Sequence, residues 1–352
     1  MVNIDEKGVM GLSTKTKLLA ILRNGDGKPV SGSKLALDLG VSRVAVWKSV
    51  QSLINAGYPV ETLDSGYSLA HDAGADFLYP WEFGENESMF RFFDNTGSTM
   101  DKMHEIACQG LPSGTVVIAE KQSAGRGRYG RNWTSRQGGL YFTVLERPLQ
   151  STPSSITDYC LPVMLFQIAV ARVLGKICGK PAWLRWPNDI YIDRRKIAGV
   201  IMEISGEGDN INWFSVGVGI NVNNAVPSGR AVNCTEITGH QISRREILVC
   251  ILEELKNVKK LTSTGNAYAQ GNRILAAEWN SIADCMGQKA AVVEAGFSGQ
   301  GKDSIACETE GRQLTNGIFS GIDPSGRCII RNDDGKGALY FNPGPVSVLF
   351  NQ

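Results

Sequence analysis

Gln122-Ser-Ala-Gly125-Arg126-Gly127-Arg128-Tyr129-Gly130-Arg131-Asn132-Trp133 is the stretch on which the fold of this 352-residue chain turns. Gly125, Gly127 and Gly130 satisfy the spacing GxGxxG, and Glu146 lies where a dinucleotide fold places its ribose-binding acid. That fold requires a helix directly after the glycines, with its N-terminus facing a pyrophosphate. Here the chain continues as Asn132-Trp-Thr-Ser and then Gly138-Gly-Leu-Tyr141-Phe-Thr-Val144, a turn followed by a strand. The dinucleotide fold is therefore rejected. Three arginines set among glycines repel one another in a closed loop, whereas an incoming phosphate neutralises them and accepts their forked hydrogen bonds. The pattern predicts a loop that orders on an anionic ligand; the alternative is a solvated basic hairpin.

On either side the chain alternates strands and helices. Upstream, Gly97-Ser98-Thr99-Met100-Asp101 opens a helix that closes at Gly110. Capping uses one of the two hydroxyls, and the other is free for the polar end of a small ligand. Downstream, Leu184-Arg-Trp186-Pro187-Asn188-Asp189-Ile190-Tyr-Ile192 and Lys196-Ile-Ala-Gly199 onward read as successive strands joined by a turn at 193–195. Lys196 then sits at a strand start, where its ammonium can stabilise charge building on a phosphate, or lies exposed as turn lysines usually do. Asp189 can orient a nucleotide or its magnesium, or can belong to a turn. Trp213 to Asn221 is a further strand whose glycines permit close approach to a flat ligand. Ser243-Arg-Arg-Glu246 is a capping box ahead of a structural helix.

The amino-terminal part differs in character. Residues 14–24 and 33–39 read as short capped helices. After Gly40, Ser42 caps a third helix on which Val46, Val50 and Leu53 share one face, leaving Arg43, Trp47, Lys48 and Gln51 on another. Two short strands follow, around Asp64-Ser-Gly66. The pattern is a winged helix-turn-helix, whose third helix can enter a major groove. A protein-docking module is the alternative, since residues 1–70 carry only 8 basic against 6 acidic side chains. Trp47 can pack under the wing or touch DNA. Residues 71–90 break the periodicity and are placed as a linker.

Composition narrows the class. Hydrophobic residues make up 42% and charged residues 20%, with a net charge of +1, so nucleic-acid contact must be local. The acidic start and the absence of a long apolar run predict neither export nor a membrane span. Eight cysteines without a CxxC pair suit buried thiols in a reducing compartment, the cytoplasm, better than zinc ligands.

Gly97-Ser98-Thr99, the stretch 122–133, Trp186-Pro-Asn-Asp189, Arg195-Lys196-Ile-Ala-Gly199 and Gly217-Val-Gly-Ile-Asn221, in this order, resemble the biotin-protein ligase family. Residues 14–70 resemble the winged-helix repressor domain of its bifunctional members. The resemblance implies an α+β multidomain chain. Its parts are a winged helix-turn-helix domain (1–70), a catalytic α/β domain related to class II aminoacyl-tRNA synthetases (91–285) and an SH3-like β-barrel (286–352). It implies ATP and biotin as substrates with Mg2+ present, a biotin carboxyl carrier protein and operator DNA as partners, and a homodimer on ligand binding.

Biotin then falls to Ser98, Thr99, Met100, Gln122, Arg126, Gly127, Arg128, Lys196 and Gly199, and the nucleotide to Arg128, Arg131, Trp133, Asn188, Asp189 and Asn221. Lys196 and Arg128 act in catalysis, Asp189 faces Mg2+, and Ser42, Arg43, Trp47, Lys48 and Gln51 face DNA. Two departures stand out: Met100, where many relatives carry Asn, and a Gly/Ser-rich insertion between Phe297 and Asn316, read as mobile. The rivals are a lipoate ligase, against which the Arg-Gly loop argues, and a regulator that senses biotin without ligating it, against which Lys196 and the loop arginines argue.

Overall fold

Three serines start the first three helices. Ser13, Ser31 and Ser42 hold extended backbone, and each hydroxyl accepts an amide hydrogen from the first turn of α1 (Thr14–Asn24), α2 (Gly32–Leu39) or α3 (Arg43–Asn55). The apolar stripes of these helices meet in one core, where Leu18, Leu19, Leu22, Leu35, Val46, Val50 and Leu53 are at most 1% exposed. Each such side chain contributes roughly 1.5–3 kcal/mol. The hairpin β1 (Val60–Leu63) and β2 (Gly66–Leu69) closes against Val30, whose backbone pairs with that of Tyr67. Gly66 has φ +139°, and a Cβ there would lie 2.2 Å from the Val30 carbonyl oxygen, so the hairpin needs glycine at this point.

The computed structural model describes residues 12–70, 76–147, 160–207, 210–227, 229–262, 268–294, 312–344 and 346–350, and the chain divides into two units after Phe92. The end of the segment placed as a linker is built into the first unit. Pro80–Met89 forms 3-10 turns, and Glu82 is buried there between Arg23, which donates to its carboxylate at 2.8 and 2.9 Å, and the Tyr58 hydroxyl at 2.5 Å. Trp81 donates to the same hydroxyl at 2.9 Å and its ring carries the Lys15 ammonium 3.9 Å above it. Burial beside Glu82 holds the Tyr58 hydroxyl above the usual tyrosine range. These contacts are encoded by residues 23 to 66 positions apart, so local periodicity carries no trace of them. Glu82→Ala removes the carboxylate that Arg23 and Tyr58 share, and Arg23, a third exposed, stays hydrated. It is expected to lower the stability of the helical unit by about 1.5–3 kcal/mol, measured as lost hydrogen-exchange protection of α1 and α3 in the whole chain.

The second unit is built on a seven-stranded sheet in the order β3-β4-β5-β9-β8-β7-β6. Its strands are β3 (Phe90–Thr96), β4 (Val116–Gln122), β5 (Leu140–Glu146), β6 (Trp183–Arg185), β7 (Asp189–Ile192), β8 (Arg195–Glu207) and β9 (Asn210–Ile220). Helix α4 (Thr99–Ala107) lies on it through Met103 and Ala107, which pack with Val117, Leu145 and Trp213. Helix α5 (Cys160–Cys178) packs on β8 and on α7 (Arg244–Thr262) and α8 (Tyr268–Ser281), with the short α6 (Cys234–Thr238) beside it. The apolar stripe after the capping box is the buried face of α7: Ile247, Leu248, Ile251 and Val258 are fully enclosed.

A five-stranded antiparallel sheet completes the unit in the order β13-β12-β11-β10-β14. Its strands are β10 (Lys289–Glu294), β11 (Gln313–Ile322), β12 (Cys328–Arg331), β13 (Ala338–Phe341) and β14 (Val346–Phe350). Residues 313–316, read as the end of an insertion, are the first residues of β11, paired to β10. Positions 297–311 lie outside the described residues. The expectation of buried thiols holds for Cys178, Cys234 and Cys328 and is corrected for Cys108 and Cys250, which are exposed, because each falls on the outward side of a helix end or stripe. Among the described residues no helix is long and apolar enough to cross a membrane, and no three His, Cys, Asp or Glu side chains cluster as a metal site.

Candidate active site

Strand register builds the floor of the site. Asp189, Gly199, Gly219 and Tyr141 pair in one row across β7, β8, β9 and β5, and Ile201, Gly217 and Thr143 pair in the next. Cross-strand partners share a face, so the three glycines open a trough in that face. A Cβ at Gly219 would sit 2.6 Å from the Trp133 indole, and one at Gly217 would sit 2.6 Å from the Met100 sulfur. Trp133 and Met100 therefore rest directly on the backbone of β9.

The walls carry the polar groups. Ser98, Thr99, Met100, Gln122, Arg126, Gly127, Arg128, Lys196 and Gly199 all line the trough, and so do Arg131, Trp133, Asn188 and Asp189. Asn221 does not. Its side chain accepts from Asn224 at 3.1 Å and its carbonyl accepts from the Cys234 amide, which makes it part of the loop scaffold behind Lys196.

At the α4 end, a directed hydrogen-bond chain organises the wall. Ser98 accepts from the Met100 amide at 3.2 Å and so caps α4. The Thr99 amide and hydroxyl both reach Gln122 Oε1, at 2.8 and 3.1 Å, and Gln122 Nε2 donates to Ser135 at 2.8 Å. Thr143, fully buried on β5, lies 2.8 Å from Thr99 Oγ1. Since the Thr99 hydrogen is spent on Gln122, Thr143 is the donor in that pair. The Ser98 hydrogen and the second lone pair of Thr99 remain for a ligand, one donor beside one acceptor.

At the opposite end Lys196, at the start of β8, places its ammonium 2.7 Å from Asp189 Oδ1 and 5.3 Å from the centre of the Trp133 ring. Both side chains are almost enclosed, at 14% and 11% exposed, so Lys196 is no solvent-exposed turn residue. The contact is an ion pair without hydrogen-bond geometry, which leaves Asp189 Oδ1 a directed partner short.

The arginine segment forms the lid side. Arg126 is held by Asp101 at 2.8 Å and Glu203 at 3.0 Å. Arg128 donates to the Tyr129 hydroxyl at 3.0 Å and to the carbonyls of Pro343 and Gly344 at 3.2 and 2.7 Å. Burial, helped by nearby Arg131, lowers the Arg128 pKa and marks a cation that neutral carbonyls do not fully compensate. The walls enclose only about 60 Å³, against the roughly 300–1,000 Å³ of ordinary ligand pockets. Trp133 occupies the glycine floor in this structure, its ring against Gly219 and Gly199.

In the first unit Arg43, Trp47 and Lys48 are exposed together on α3, and Gln51 is half-buried beside them. Trp47 is 52% exposed, so it does not pack under the hairpin. Ser42 is the cap of the helix.

Comparison with known proteins supplies the family. The model of the biotin/lipoate A/B protein ligase family matches residues 92–221, and that of an HTH domain matches 14–68. The bifunctional ligase/repressor BirA of Bacillus subtilis is 33% identical over 69% of this chain and 77% of its own length. The chain belongs to the bifunctional biotin ligase and repressor family. The Escherichia coli BirA is 32% identical over 70% of this chain and 76% of its own. Among solved structures, the biotin protein ligase of Aquifex aeolicus in complex with biotin and ATP superposes with a TM-score of 0.57 at 27% identity, covering 74% of this chain and 99% of that one.

In this family member, several residues of the site escaped sequence analysis. Thr143, which stands behind Thr99 and does not itself line the trough, carried a faint signal, the one aliphatic hydroxyl in the apolar run Leu140-Tyr-Phe-Thr-Val-Leu145. Arg185, Ser347 and Val348 carried none. Arg185 is held by Asp284 and lies 3.9 Å over the Tyr191 ring, and the other two arrive from β14, about 150 residues beyond Lys196.

Proposed function

We propose that this biotin-protein ligase uses the trough for both steps of biotin transfer, with each end of the site doing separate work. A biotin carboxylate oxygen attacks the α-phosphorus of ATP, forming a P–O bond as the bond to the departing pyrophosphate breaks. The amine of a carrier lysine then attacks the acyl carbon of the adenylate, AMP leaves, and the amine loses a proton. The ureido group of biotin has a carbonyl acceptor beside N–H donors, and the Ser98 hydrogen and Thr99 lone pair are their complements. The thioether ring lies toward Met100, where an apolar contact replaces the amide many relatives carry. Arg128 and Arg131 take the phosphate end, with Asn188 and Trp133 beside the nucleotide. Lys196 offsets the charge that builds as carboxylate and phosphate approach.

The observation that carries this assignment is the convergence of Lys196, Arg128 and the Ser98-Thr99-Gln122 cluster on one glycine floor. Asp189 is the single carboxylate that lines it among the described residues. Asp189, whose Oδ1 lacks a directed partner, is the residue that would hold a magnesium ion brought with the nucleotide, and the ion would neutralise phosphate charge when bound. Thr143→Val keeps shape but removes the donor to Thr99. The expected result is a KM for biotin raised about fivefold with kcat little changed, and Thr143→Ser restoring it, in a pyrophosphate-exchange assay.

The first unit is assigned to operator DNA, with β1 and β2 as a wing and Arg43, Trp47, Lys48 and Gln51 facing the groove. A ligand-bound homodimer binds a palindromic site, and a biotin carboxyl carrier protein is the acceptor. Residues 286–352 are taken as an SH3-like barrel, on the evidence of the five antiparallel strands, and the central unit as a relative of class II synthetases. Unpaired cysteines suit the cytoplasm. Gel shifts are expected to show biotin- and ATP-dependent binding that Lys48→Ala and Trp47→Ala weaken about tenfold. Binding of the palindrome that is indifferent to biotin contradicts this assignment.

A further inference from the structure

Ser135 stands between the two ends of the trough and lines neither. In the run Arg131-Asn-Trp-Thr-Ser135-Arg136 it is the one buried residue, 7% exposed, while Asn132, Thr134 and Arg136 face outward. Its hydroxyl accepts from Gln122 Nε2 at 2.8 Å and donates to the Trp133 carbonyl at 3.2 Å. A serine hydroxyl has one hydrogen, so the two contacts give this link a fixed sense.

Both neighbours in the link belong to the site. On one side Gln122 Oε1 accepts from the amide and hydroxyl of Thr99, so the wall assigned to biotin orients the Gln122 amide. On the other, the Trp133 amide donates to the Gly125 carbonyl at 2.8 Å, and its indole rests on Gly219 and Gly199, 5.3 Å from the Lys196 ammonium. The start of the arginine segment packs into the same link: a Cβ at Gly125 would lie 2.4 Å from the Trp133 carbonyl oxygen and 2.5 Å from Ser135 Oγ. A shift of the Gln122 side chain therefore reaches the Trp133 backbone through one buried hydroxyl. The main-chain bond from the Gln122 amide to the Ser135 carbonyl, at 3.3 Å, does not use that hydroxyl and holds the two segments together without it.

We propose, resting on the biotin and nucleotide assignments above, that Ser135 is a positioning residue that couples the two ends of the trough. Biotin held at Thr99 and Gln122 fixes the Ser135 hydroxyl, and the hydroxyl sets the Trp133 backbone where its indole meets the nucleotide. Ser135 touches neither substrate and contributes cooperativity between them.

Calorimetric titration of the whole protein tests this with biotin and α,β-methylene-ATP, whose methylene bridge blocks the departure of pyrophosphate. In the parent each ligand is expected to tighten the other by about tenfold, by the same factor in both orders of addition. Ser135→Ala is expected to cut that factor about fivefold, the loss of one neutral hydrogen bond, while each ligand still binds alone. A residue that only supports the fold weakens both ligands and leaves the factor unchanged. No coupling in the parent, or the parent's factor in Ser135→Ala, overturns the proposal and leaves the ligase reading intact. A parent that binds neither ligand contradicts that reading and the proposal together. Should Ser135→Ala not fold by circular dichroism, hydrogen exchange of the parent decides: biotin alone is expected to slow exchange of the Trp133 amide, and an unchanged Trp133 overturns the proposal.

Discussion

Lys196→Ala is expected to slow biotin-dependent pyrophosphate exchange by about 10²–10³-fold, the usual loss when one preorganised donor to a developing negative charge is removed. The ammonium is nearly enclosed and held beside Asp189 in front of the Trp133 ring, so its position is fixed before substrates arrive. Removing it also leaves Asp189 as a buried carboxylate without a counter-ion, which costs about 3–5 kcal/mol of stability or repels the incoming phosphates. The double variant Lys196→Ala with Asp189→Asn separates these effects when read against Asp189→Asn alone, which gives the cost of removing the carboxylate while the ammonium stays. Stability returns in the double variant, while exchange stays slow. Recovery of exchange in the double variant assigns the loss to Asp189 repulsion instead and removes Lys196 from the chemistry.

Arg128→Gly is expected to speed release of the biotinyl-adenylate by about 10–100-fold, with a smaller effect on its formation. The magnitude follows from one or two charge-assisted hydrogen bonds, each worth roughly 1.5–3 kcal/mol. The Arg128 guanidinium now rests on the carbonyls of Pro343 and Gly344, and its lowered pKa, caused by burial, shows how poorly neutral oxygens replace water around it. A phosphate is the better partner, so the adenylate draws the guanidinium off the C-terminal carbonyls. Off-rates measured by chasing labelled adenylate check this. Equal rates for variant and parent mean that Arg128 stays with the carbonyls and does not hold the intermediate.

Most of the site was legible because its chemistry is local in sequence. Gly97-Ser98-Thr99 forms the start of a helix, the arginines are confined to a short glycine-spaced segment, and Lys196 follows a tight turn into a strand. Each depends on neighbours a few residues away, so motif and periodicity report it. Ser42 and the stripe Val46, Val50 and Leu53 revealed the third helix in the same way, through capping and spacing.

What escaped depends on register and long-range packing. Thr143 meets Thr99 because β5 pairs with β9 at Gly217, and no local pattern fixes that pairing. Asn221 follows the strand of Gly217 and Gly219 but turns into the loop scaffold, since its backbone bonds to Ile197 and Cys234. Glu82 looked like part of a linker because the partners that bury it, Arg23 and Tyr58, belong to elements folded far earlier in the chain. The mutual hold of Arg128 and the C-terminal carbonyls joins backbone to side chain across 215 residues, beyond anything residue types encode.

The central claim is that one trough activates biotin and hands it to a protein lysine. Intact-mass spectrometry of a biotin carboxyl carrier domain, incubated with this protein, biotin and ATP, tests it most directly. A gain of one biotinyl group on a single lysine is expected, dependent on ATP and slowed about 10²–10³-fold by Lys196→Ala. An unchanged carrier mass under conditions where the parent protein is folded and binds both substrates contradicts it.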